Sequence, residues 1–144
     1  MAKTPRFSTG LRDAMLEPTA ANVALDVFNG GTLKIYTGTQ PATADEAPTG
    51  TLLVTITLPT PAFAAASGGA RAKAGTWSGT AGATATAGWF RIATSADTGV
   101  LSTTEKRMDG QMGTSASDLV LASLAITSGD VITVDTFPVS IPAS

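Results

Sequence analysis

Residues 84–93 read TATAGWFRIA and hold the densest bulky apolar cluster in a chain otherwise built from Ala, Thr and Gly. Successive side chains on a strand point to opposite faces, so Phe90 and Ile92 share one face while Trp89 and Arg91 share the other. The stretch therefore predicts a central strand with a core side and a second, contacted side. Gly88, just ahead of the aromatic pair, suits a bulge or a close backbone approach. Trp89 either covers a second layer of the same chain or meets a partner, Trp being enriched at interfaces.

Outward from this strand, apolar and polar residues keep alternating. TLKIY at 32–36 is one such run, and 51–58 is another, with Leu52, Val54, Ile56 and Leu58 on one face and mostly Thr on the other. Half-wet strands of this kind belong to antiparallel sheets. The connection 37–50 is polar, long for a hairpin, and a candidate functional loop. Weaker strands at 62–66 and 70–77 flank the turn Ser67-Gly68-Gly69, and Trp77 is the plug for the space their small side chains leave. Residues 98–101 and 105–111 are expected to form a hairpin, with Asp109-Gly110 as a turn signal. Residues 118–126 (DLVLASLAI) fit a core strand, and Ser128-Gly129-Asp130 turns into 131–139. In that last run the alternation slips: Ile132 and Val134 share one face, Phe137, Val139 and Ile141 the other. A bulge or bend near Asp135–Thr136 would reconcile them. About eight strands spaced by Gly and Pro turns predict an all-β fold, an antiparallel β-sandwich or jelly roll.

Two segments precede the strands. Residues 1–18 read as an extended N-terminal arm, interrupted by Pro5 and Gly10, in which Phe7, Leu11 and Met15 fall four apart and could line one helical face. Such an arm either folds back or clasps a neighbouring subunit, with clasping favoured because oligomers exchange terminal elements. Residues 19–29 predict a short amphipathic helix carrying Ala20, Val23, Ala24, Val27 and Phe28, capped by Thr19 and stopped by Gly30-Gly31. The expected organisation is an arm at 1–18 followed by one β-sandwich domain over 19–144, with no second-domain linker and no internal repeat.

Composition narrows the chemistry. The 144 residues carry a formal net charge of −2, and only 14% are charged against 43% hydrophobic. A surface so poor in Lys and Glu opposes association weakly, so a partner or a further copy is expected. The basic residues are dispersed, which leaves no nucleic-acid footprint. The chain contains neither Cys nor His. That removes disulfides, thiolate nucleophiles, the commonest general base and the commonest metal ligand. No apolar run is long enough for a membrane span, and the first residues lack an apolar signal core, so the protein is expected to stay where it is made or to leave by lysis or assembly.

The remaining catalytic candidates are paired carboxylates, Asp45 with Glu46 and Asp130 with Asp135. Both pairs sit in or beside turns, where Asp serves its own backbone hydrogen bonds. The Gly-rich stretches 67–69 and 79–82 lack the Lys-Ser or Lys-Thr that follows a phosphate-cradling loop. No catalytic, cofactor-binding or metal residue is assigned, and binding or assembly is left to carry the function.

Four segments together carry a resemblance: LKIYTGTQPATAD at 33–45, GWFRI at 88–92, MDGQMG at 108–113 and DLVL at 118–121. The chain resembles small structural proteins of tailed bacteriophages, most closely capsid decoration, or cement, proteins. The resemblance runs from Leu33 to Pro142 and rests on turns and core strands. It implies a jelly-roll sandwich on the outer capsid surface in the virion, made in the host cytoplasm, stabilising joints between major capsid proteins; together with the composition, a homo-oligomer (dimer or trimer) without nucleic acid, membrane or cofactor is expected. Interface candidates are Phe7, Leu11 and Met15 in the arm, and Trp77 and Trp89 as core or interface aromatics. The alternatives are a tail or neck component (tube, terminator or fibre-associated) and a carbohydrate-binding sandwich, which would need Tyr36, Trp77 and Trp89 as an exposed platform.

Overall fold

A computed structural model describes residues 5–17 and 24–140. Among them the strands are β1 (Arg6–Phe7), β2 (Thr32–Tyr36), β3 (Leu52–Thr57), β4 (Ala70–Ala72), β5 (Trp77–Thr80), β6 (Ala85–Thr86), β7 (Trp89–Ala93), β8 (Arg107–Gly113), β9 (Leu119–Val120), β10 (Ala125–Ile126), β11 (Val131–Val134) and β12 (Pro138–Ser140). One α-helix, α1 (Thr9–Leu16), and a 3-10 turn at Ala24–Phe28 complete the set.

Strand β7 is central. It pairs antiparallel with β2 and β8, and the sheet runs β1-β8-β7-β2-β3, with the short β9 parallel to β8. Registers align the side chains in rows. Ile56, Leu33, Ile92, Met108 and Phe7 cross one face as an apolar row, while Thr55, Lys34, Arg91, Asp109 and Arg6 cross the other as a polar one. Every residue of β7 is nonetheless buried, so both faces are covered.

The apolar face is covered by a long ribbon. Strands β4, β5 and β6 pair in turn with β12, β11 and β10, so residues 70–86 run antiparallel to 125–140. The pairing slips between Trp77↔Val134 and Ala72↔Pro138, where residues 73–76 oppose the shorter run 135–137. Residues 135–137 leave the strand there, Asp135 and Thr136 turn to solvent, and Val134 and Phe137 both face inward, which resolves the broken alternation in the sequence. The irregularity lies beside Asp135–Thr136 as expected, with the added residue on the partner strand. Phe137 meets Phe90 edge-on at 5.5 Å between centroids, and Phe63 meets Trp77 the same way at 5.4 Å. Such T-shaped pairs add roughly 0.5–1.5 kcal/mol beyond area burial. The ribbon also joins the sheet edge through the Val54↔Ala81 bridge.

Several expectations need correction. Residues 5–17 are not an extended arm: Phe7 pairs with Met108, and α1 sends Leu11 into the core with no exposure. The helix is capped by Ser8, whose hydroxyl accepts from Leu11 N at 3.2 Å. Gly10 lies in the first turn of α1 without interrupting it, and it must be small because the backbone of Thr104 and Glu105 lies where a side chain would be. The helix expected over 19–29 falls partly outside the described residues, and its described part is the 3-10 turn. A bulge between Ile35 and Tyr36 turns Leu53 inward and leaves Leu52 exposed. Residues 98–101 form no strand, and Asp109-Gly110 lies inside β8 rather than in a turn. The 118–126 run is two short strands, β9 and β10, rather than one.

Candidate interaction surface

The polar face of the sheet is roofed by the two long connections, 37–50 and 94–106. Four charged side chains hold the roof down. Arg91 donates to both carboxylate oxygens of Asp109 at 2.7 Å each, and its Nη1 donates to Glu46 O at 2.9 Å. Arg107 makes the second fork, to Asp97 Oδ2 at 2.9 Å and Oδ1 at 2.6 Å, and also donates to Asp45 O at 3.1 Å and Val100 O at 2.7 Å. Fork-on-carboxylate pairs are strong because two parallel charge-assisted bonds share one geometry. Arg91, Arg107 and Asp109 are fully buried, so each charge is tolerated only by virtue of its partner.

The aromatic part of the same layer is equally fixed. Tyr36 stacks on Trp89 at 4.6 Å, Arg91 lies over the Trp89 ring, and Trp89 Nε1 donates to Thr49 O at 3.2 Å. Gly88 makes the close approach that its position predicts, since a Cβ there would overlap the carbonyl oxygen of Gly38. Burial raises the hydroxyl pKa of Tyr36. Burial also lifts the carboxyl of Asp109 above its usual range despite the Arg91 bonds. For Asp97 burial acts upward too, but the Arg107 hydrogen bonds, the Gly99 amide and the Arg107 charge outweigh it and hold the carboxyl below its usual range.

The N-terminal segment locks the roof from the side. Thr9 donates from its amide and hydroxyl to the two oxygens of Asp45, at 2.7 and 2.6 Å. Arg6 donates to Pro41 O. Ser8 Oγ donates to Glu105 O at 2.6 Å and accepts from Arg107 N at 2.8 Å. Asp45 is thus a structural acceptor, and Asp130 accepts from Thr127 N to close its own turn.

The five interface candidates separate. Leu11, Trp77 and Trp89 have no exposure and pack within the chain, Trp77 donating to Ala74 O at 3.0 Å. Phe7 and Met15 are half-buried and line an apolar groove of about 240 Å³ with Leu25, Ala70 and Val139. Tyr36 is buried with both Trp residues, which leaves no Trp or Tyr for an exposed sugar platform. Apolar exposure lies elsewhere, on Leu16, Leu52, Val100, Leu101, Val120 and Val131. Val100 and Leu101 were hidden in the sequence behind an expected strand; the signal for them was an uncharged run between Gly99 and Thr104.

Among the described residues no group of three His, Cys, Asp or Glu could hold a metal, and no helix is long and apolar enough to cross a membrane. The fold and this layer define an all-β protein whose buried charge is spent on holding loops. Comparison of the chain with protein-family models, curated proteins and solved structures gives no match.

Proposed function

We propose that this chain is a non-enzymatic structural protein of a tailed-phage virion, a jelly-roll sandwich that decorates the outer capsid surface and stabilises joints between major capsid proteins. The observation that supports it is where charge and apolar surface lie. Arg91, Arg107, Asp97 and Asp109 are consumed by internal forks, whereas apolar side chains such as Leu16, Val100 and Leu101 stand exposed on a surface poor in charge. Exposed apolar groups on a low-charge surface favour burial against another protein. The resemblance of 33–45, 88–92, 108–113 and 118–121 to decoration proteins supplies the class of partner, the major capsid protein, and the low-charge surface favours a homo-oligomer, dimer or trimer, as the assembling unit. Binding at a lattice joint would stabilise the assembled state by mass action.

Cosedimentation of the purified protein with capsids lacking it tests this. Saturable binding at a fixed ratio to capsid protein is expected. Rings or tubes formed by the protein alone, with no capsid binding, would move the assignment to the tail or neck.

A further inference from the structure

We propose that the tip 98–104 is the docking element of this protein, a rigid apolar knob that seats in an uncharged, apolar recess on the subunit it binds. The inference rests on the decoration reading for the identity of that subunit.

Exposure and order meet here in one short segment. Val100 and Leu101 are 60% and 71% exposed, side by side in sequence. Loops that project apolar residues by accident are loosely held. This one is tied down at Gly99, Val100, Ser102 and Thr104. Gly99 takes a φ of +77° and donates its amide to Asp97 Oδ1 at 3.0 Å. Val100 O accepts from the buried Arg107 at 2.7 Å. Ser102 N donates to Asp45 O at 2.8 Å, and Ser102 Oγ accepts from Thr104 N and Glu105 N, both at 3.2 Å. The backbone on either side of Leu101 is thus anchored from within, while the side chains of Val100 and Leu101 stay exposed. A pre-ordered apolar projection loses little conformational entropy on binding, which is where preorganisation adds affinity.

Charge selects the partner's chemistry. TGVLSTT at 98–104 has no ionisable side chain, Asp97 before it is neutralised by Arg107, and Glu105 and Lys106 after it carry opposite charges. A phosphate backbone or an anionic bilayer would have nothing to pair with at this tip. An apolar recess of a protein gains from burying both side chains, and the gain is insensitive to salt.

The test is the full-length double variant Val100→Ser with Leu101→Ser, compared with Val131→Thr on the far ribbon, in cosedimentation with capsids lacking the protein at low and high salt. The tip variant should bind at least about tenfold more weakly with an unchanged urea midpoint, while Val131→Thr binds as the parent does and salt changes neither. Parent binding that the tip variant retains in full, or binding that collapses with salt, overturns the knob while leaving decoration in place. Failure of the parent itself to bind overturns the decoration reading, and the knob with it.

Discussion

The two faces of the central strand β7 are both dry, yet they are built by different physics. On one, Phe90, Ile92, Leu33 and Met108 meet the ribbon through apolar contacts that have no required direction. On the other, Arg91, Arg107 and their carboxylates meet loop carbonyls through bonds that tolerate little displacement. The apolar face supplies most of the burial free energy, and the polar face fixes where two long loops lie. The comparison teaches that burial alone does not identify a core: the second face looks like an interface in sequence and is occupied by the chain's own backbone.

The sharpest break between the faces is Asp109→Ala. It leaves the Arg91 guanidinium buried and unpaired, and a loss of about 3–5 kcal/mol in urea unfolding is expected. Arg91→Met combined with Asp109→Leu should recover much of it, because removing both charges leaves none stranded. On the apolar face Leu33→Ala should cost about 2–5 kcal/mol, with no second substitution on the polar side able to compensate it. Gly88→Ala comes next, at about 1–3 kcal/mol, since the added methyl must displace Gly38, whereas Gly82→Ala, with open space around it, should be near neutral. Ser8→Ala removes the cap of α1 and strands the amide of Arg107, for about 1–2 kcal/mol, measurable as a lowered thermal midpoint.

Acid gives the smallest effect and separates the two forks. The folded pKa of Asp97 lies below the usual carboxylate value of 3.8, so its stabilisation is present above that value and is lost as pH falls through its folded pKa. Asp109 is raised, so its ionisation weighs against the fold, and that weight lifts as pH falls through its folded value toward 3.8. Asp97→Asn should therefore flatten the stability profile on the acid side of 3.8, and Asp109→Asn should flatten it on the neutral side. Urea midpoints from pH 7 downward check both signs.

Much of the apolar face was legible because strand periodicity records it. The split of Phe90 and Ile92 from Trp89 and Arg91, the need for small Gly88, and the slip between Val134 and Phe137 all follow from alternation. The polar face was not legible, because its partners are far apart in sequence and lie partly on backbone carbonyls. Asp109-Gly110 looks like a turn, yet Gly110 is there because the Phe90 ring and Asp118 occupy the space of its side chain, and Asp109 because Arg91 is opposite. The helical spacing of Leu11 and Met15 was visible, but Phe7 belongs to β1 rather than to that helical face, and Gly10 read as an interruption until Thr104 showed why it must be small. Nothing in local pattern says that a loop tip such as Val100-Leu101 is held from beneath by an arginine.

The hydroxyl of Ser8 bonds to the amide of Arg107, a partner 99 positions later. In a growing chain, then, β1 waits longer for its partner than any other described strand. Phe7, Leu11 and Met15 must wait unpaired while nearly the whole sheet is synthesised, since the edge they complete does not exist before β8. Contacts of such range slow folding, and apolar side chains left waiting invite association with other chains. The same segment that bolts the finished protein shut is, during synthesis, its most exposed adhesive surface.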